Sequence, residues 1–199
     1  MLLRSPSWDE VVYWSLDLEL GGLDAKRDAI LAVGMVAVRE GVVKLGESFT
    51  SLVRPDRAEL VRPPSIAAHQ LVWDEVRDAP PVGAVLEEID VRLRQGALLV
   101  HHAGIDVAFL QHAYKVQGRR WPRPAVVDTV ALLLKAAHKA RFTSTNPEEV
   151  PALNLGEARR NARLPEYQAH DALMDAIATA ELFLVLRRKL GARTLRDLT

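Results

Sequence analysis

The 199-residue chain contains no cysteine. That removes disulfides, thiolate zinc sites and thiol nucleophiles together, and leaves any metal to be held by oxygen or imidazole. An excess of charge of one sign is missing too, since 26 Lys and Arg balance 26 Asp and Glu. Without a global cationic field, nucleic acid could be bound only through a local basic patch or a bound cation. Long apolar runs are also absent: no window approaches the roughly 20 uncharged apolar residues a membrane span needs. The N-terminal MLLRSPSWDE lacks the apolar stretch of a secretory leader. The chain therefore reads as soluble and cytoplasmic, with no membrane partner. Its 49% hydrophobic content suits one globular domain, residues 1–199, with a sizeable core.

The first third reads as three strands, VVYWSLDLEL (11–20), AILAVGMVAVRE (29–40) and VVKLGESFTSLVRP (42–55), rich in β-branched and large apolar residues. Glu40 and Gly41 mark a tight hairpin turn between the second and third. A Pro-punctuated loop follows, and then a helix over 82–95, with Val85, Leu86, Ile89 and Leu93 at helical spacing and Gly96 at its stop. A short buried strand over 97–102, a helix over 105–117 ended by Gly118, a strand over 124–129 and a helix over 130–139 come next. The polar, proline-closed stretch 141–151 reads as a loop. Asn154 with Glu157 three residues on resembles a capping box opening a helix over 153–163, and the last long helix covers 171–190 before Gly191. A meander followed by alternating strands and helices predicts an α/β fold with a mixed sheet flanked by helices.

Five residues sit in settings unusual for their type. Asp17 and Glu19 lie one apart in an apolar strand, so both carboxylates face one way while Leu16, Leu18 and Leu20 face the other. Asp106 follows the strand ending in His101 and His102, and His170 and Asp175 open the last helix. Each has a plain reading as well: the polar face of an edge strand for Asp17 and Glu19, a helix-dipole acid for Asp106 and Asp175, a helix cap for His170. Taken together, acids at strand ends and helix starts can converge on one edge of an α/β sheet. Crowded carboxylates stay ionised only if a cation neutralises them. Oxygen ligands without thiolates suit two divalent cations, Mg2+ or Mn2+, which at about 4 Å apart would clamp an in-line phosphoryl displacement.

Three motifs then carry a resemblance. DLELGG (17–22) is similar to D-x-E followed by T-T-G, HHAGID (101–106) to H-N-x-x-F-D, and HDALMDA (170–176) to H-x-A-x-x-D-A. In order and spacing the chain resembles the DEDDh 3′-to-5′ exonucleases, which include the epsilon subunit of bacterial DNA polymerase III and ribonuclease T. Supporting likeness lies in the Ile-x-x-His segment ending at His69 and in VVDTVALL (126–133), so the resemblance covers about residues 11–190. It implies a ribonuclease-H-like fold, with Asp17, Glu19 and Asp175 on one metal, Asp17 also on a second, and Asp106 helping directly or through water. It implies that His170 is the general base, and that the product is a nucleoside 5′-monophosphate.

Leu20 stands where the family usually has Thr, and His102 and Ile105 where Asn and Phe are usual. With His69 and Gly22, these positions correspond to the region where relatives hold the 3′-terminal nucleotide. Trp14, Trp73, Trp121 and Phe109 are stacking candidates with core packing as the plainer reading; Lys115, Arg119, Arg120, Arg123 and the stretch EARRNAR (157–163) are phosphate-contact candidates or simply solvated. The expected partner is single-stranded nucleic acid with a free 3′ end. Alternatives are a proofreading subunit bound to a DNA polymerase, disfavoured by the short stretch after the last helix, and a relative that has lost catalysis, disfavoured because all five positions are filled. A haloacid-dehalogenase type of phosphatase would need Asp rather than Glu at position 19.

Overall fold

A computed structural model of the chain describes residues 5–57, 60, 71–141 and 151–199. Strand β1 (Tyr13–Leu20) pairs antiparallel with β2 (Ile30–Arg39), and β2 with β3 (Val42–Leu52). The predicted hairpin is present: Glu40 and Gly41 both take positive φ, 53° and 75°, as a tight turn between twisted strands favours. On its other side β1 runs parallel to β4 (Ala97–Val100), and β4 parallel to β5 (Val126–Asp128). The strand order is β3-β2-β1-β4-β5, a mixed α/β sheet as the sequence predicts. β1 is thus the central strand, which rules out the edge-strand reading of Asp17 and Glu19.

Helices α1 (Trp73–Val76), α2 (Val82–Leu93), α3 (Ala103–Val116), α4 (Thr129–Arg141), α5 (Leu155–Asn161), α6 (Ala172–Leu190) and α7 (Leu195–Leu198) complete the described fold. α3 starts two residues before the predicted Ile105, and α5 is shorter than predicted, although Asn154 does cap it by accepting from the Glu157 N–H at 3.2 Å. Gly96 serves a different purpose from the predicted helix stop. A Cβ there would collide with the Val12 carbonyl, and this close approach feeds β4 alongside β1 through the Ala97 N–H to Val12 bond of 2.9 Å. Most of the predicted 141–151 loop lies outside the described residues, as does His69. Among those described, no helix is long and apolar enough to cross a membrane.

Both faces of the sheet are covered, so β1 is buried on two sides. Trp14, Leu16 and Leu18 pack with Val85, Leu86 and Ile89 of α2 and Phe109 and Leu110 of α3. The opposite face presents Tyr13, with Val36, Leu99 and Val127, to Ala176, Ala180 and Phe183 of α6. The small alanines let α6 lie close, and the buried Ser15 hydroxyl donates to the Ala176 carbonyl at 2.7 Å. Alternation along β1 then aims Asp17 and Glu19 at the first turn of the same helix.

Candidate active site

Room for the acids comes from their cross-strand partners. Asp17 stands opposite Gly34 and Glu19 opposite Ala32. A Cβ on Gly34 would overlap the backbone of Ala172 and Leu173, so this glycine allows the start of α6 to touch the sheet. Asp171 caps α6 by accepting from the Met174 N–H at 2.9 Å, a role considered for His170. Asp175 follows one turn later and points back at β1. One carboxylate oxygen from each of Asp17, Glu19 and Asp175 lies within 4.8 Å of the others.

Asp106 and His102 approach from the carboxyl end of β4, and His170 from the connection between α5 and α6. Asp106 is buried in the first turn of α3, 5% exposed; it stands outside that triad yet close enough for its charge to act on Asp17. Asp128, at the end of β5, accepts the His102 and Ala103 N–H groups at 3.0 and 3.1 Å and so caps α3. His102 takes a left-handed conformation there, φ 74°. His170 is also left-handed, φ 66°, and its N–H donates to Asp175 Oδ2 at 2.8 Å. His102, His170, Asp17 and Asp175 line one cleft of about 630 Å³, together with His101, Tyr167 and Arg160.

Packing acids this way has an electrostatic cost. Burial, reinforced by Asp175 and Asp171, raises the Glu19 pKa to about 7. Burial pushes Asp106 up to about 8, with Asp128 and Glu19 adding to the shift against backbone hydrogen bonds that lower it. Asp17 is raised well above the usual range, first by burial and then by Asp106, Asp175 and Glu19. Glu19 Oε1 is in addition buried with no hydrogen-bond partner among the described residues. An all-oxygen set with an orphaned buried oxygen and unrelieved like charge fits a hard divalent cation.

The chain matches the exonuclease family RNase_T over residues 15–183. It belongs to this exonuclease family. Relatives include a DNA polymerase III subunit epsilon-like protein of Rhodobacter capsulatus, 33% identical over 94% of this chain and 25% of the relative. A PolC-type DNA polymerase III of Thermotoga petrophila is 29% identical over 96% of this chain and 13% of its own length. The chain thus spans a quarter or less of these relatives. Among solved structures, the zinc-bound E. coli ExoI–ssDNA complex superposes with a TM-score of 0.77 at 17% identity, over 92% of this chain and 41% of that one. The ribonuclease-H-like exonuclease fold is shared.

The other candidate residues are distributed unevenly. His102 lines the cleft, whereas Leu20 and Ile105 pack against the core on the far face of β1, and Gly22 abuts the Asp28 carboxylate. Trp14 and Phe109 are buried, Trp121 packs edge-on to Tyr114, Trp73 is partly buried, and Arg119 pairs with Glu87 at 2.5 Å, so core and surface roles account for them. Of the cationic stretch, Arg159 is buried and Arg160 opens on the cleft. Sequence reasoning missed two residues. Tyr167, which lines the cleft together with Asp175, was signalled only by a lone aromatic in a polar loop. Asp128 was visible as a strand-end acid.

Proposed function

We propose that this chain is a metal-dependent 3′-to-5′ exonuclease that hydrolyses the terminal phosphodiester of single-stranded DNA or RNA and releases nucleoside 5′-monophosphates. The observation that carries this reading is the convergence of Asp17, Glu19 and Asp175 within 4.8 Å at a cleft that His170 also lines. Asp17, Glu19 and Asp175 would hold Mg2+ or Mn2+, with Asp106 behind Asp17 as a further acid for a second ion. When bound, such ions supply Lewis-acid stabilisation of phosphoryl charge and acidify the attacking water.

His170 takes the proton from that water, a task suited to an imidazole whose unperturbed pKa lies near neutrality. The water oxygen forms a bond to the terminal phosphorus, the bond from phosphorus to the 3′-oxygen of the preceding nucleotide breaks, and that oxygen leaves with a proton from solvent. The N–H bond to Asp175 ties the backbone of the base to a metal-ligand carboxylate, so both move together. Arg160 offers a cation to a substrate phosphate at the cleft, and His102, which lines the same cleft, would contact the 3′-terminal nucleotide. The ssDNA in the ExoI complex supports a single-stranded substrate.

A second reading is favoured by the likeness to epsilon-like and PolC-type proteins: proofreading in association with a DNA polymerase. Copurification with a polymerase would support it. The primary reading is tested with 5′-labelled DNA and RNA oligonucleotides and Mg2+ or Mn2+. A ladder of products shortened from the 3′ end is expected with at least one substrate, and no ladder with either would overturn the proposal. Asp17→Ala and His170→Ala should each abolish it; retained activity would remove that residue from its role.

A further inference from the structure

Residues 162–171 connect α5 to α6, carry His170, and are mostly exposed from Pro165 onward. One buried side chain holds this connection from beneath. Arg159 is 2% exposed and its guanidinium forks between two parts of the chain. Nη1 donates to the Ala178 carbonyl of α6 at 2.8 Å and pairs with Glu181 at 2.8 Å, while Nη2 donates to the Pro165 carbonyl at 3.0 Å. The same guanidinium lies 4.8 Å over the Tyr167 ring, which lines the cleft together with the Asp175 carboxylate. The His170 N–H donates to that carboxylate.

A buried guanidinium is a costly way to join two helices, because an apolar side chain of similar volume would often do as well. What the planar fork adds is direction: two arms fixed at once on different segments. Of the attachments that tie the 162–171 connection to the cleft, Pro165 depends on Arg159 directly and Tyr167 through stacking. We propose that Arg159 is a positioning residue for the nuclease reaction, fixing Pro165 and Tyr167 and thereby holding His170 at the Asp175 side of the cleft. The inference rests on the nuclease reading above.

The test compares wild type, Arg159→Met and Arg159→Lys by steady-state oligonucleotide hydrolysis and by hydrogen exchange of the metal-free protein. Arg159→Met is expected to lower kcat about tenfold to a hundredfold with KM changed less than about threefold, the signature of a misplaced reacting group. Backbone amides of 162–171 should exchange faster while those of β1 and β4 keep their protection. Arg159→Lys should not restore kcat, since a point charge can reach Glu181 without also reaching Pro165. Unchanged kcat and exchange in Arg159→Met, or full activity in Arg159→Lys, would overturn the proposal. If Arg159→Met does not fold, Tyr167→Leu removes the ring and hydroxyl yet leaves the Arg159 contacts to α6; it should lower kcat at constant KM, and unaltered kcat would overturn the proposal. A wild-type chain with no metal-dependent hydrolysis would instead sink the nuclease reading, and the exchange comparison would still decide whether Arg159 anchors the segment.

Discussion

The two faces of β1 are built from alternate residues of one strand and do opposite things. Trp14, Leu16 and Leu18 close an apolar core against α2 and α3, whereas Ser15, Asp17 and Glu19 meet the start of α6, where two of three side chains are carboxylates under strain from their neighbours. The first face stabilises the fold. The second destabilises it until a cation is bound, because burial and like charge both oppose ionisation. Function is therefore located where the strand departs from core composition, and substitutions on the two faces should separate activity from stability.

The largest effect is expected from Asp17→Asn, which should reduce hydrolysis by about a thousandfold or more, as loss of a metal ligand removes charge stabilisation in the transition state. In the metal-free protein at pH 8 the same change should raise Tm, at about 2–4 °C per kcal/mol for a chain of this size. Leu16→Ala on the other face should do the reverse. It should cost about 2–5 kcal/mol by thermal or urea melting while leaving kcat of the folded protein within about threefold. Gly34→Ala bridges the comparison, because its methyl meets the Ala172 backbone: a loss of about 1–3 kcal/mol should accompany a fall in kcat, since α6 must shift away from Asp17. Equal activity in Gly34→Ala and wild type would show that the α6 approach does not set the site.

A smaller effect concerns pH. Glu19 and Asp106 titrate near 7 and 8 when folded, above the ordinary carboxylate values they regain on unfolding. The native state then binds more protons between those limits. The contribution of these two groups to stability is fully present below about pH 4 and is lost as pH rises from there through 7 and 8. Melting curves from pH 5 to pH 8 should show a declining Tm, and Mg2+ or Mn2+ should raise Tm more at pH 8 than at pH 5. A flat profile would contradict the charge crowding. The smallest expected effect is Arg160→Ala, raising KM about threefold with a reduced salt dependence, as removal of one phosphate contact predicts.

Much of this was legible in the sequence for local reasons. Strand alternation put Asp17 and Glu19 on one face, the Glu40–Gly41 turn set the meander, and Asn154 marked the cap of α5. The central place of β1 was not legible, because it depends on parallel pairing with β4, over 80 residues away in the chain. Nothing in the sequence around Gly34 shows that α6 presses on it. Arg159 and Arg160 are adjacent and alike in sequence, yet one is buried between segments and the other faces the cleft. That distinction comes from how α5 packs on α6, which no local pattern encodes. Ile105 and Leu20 read as substrate-side residues by position, while their helical and strand phases turn them into the opposite core.

The central claim is that the three carboxylates on the α6 side of β1 form a divalent cation site, and Mn2+ titration of the metal-free protein by calorimetry or electron paramagnetic resonance tests it most directly. Saturable binding is expected at pH 8, weakened as pH falls through about 7 where Glu19 protonates, and largely lost in Glu19→Gln and Asp175→Asn. Absence of saturable binding, or binding in Glu19→Gln equal to wild type, would contradict it.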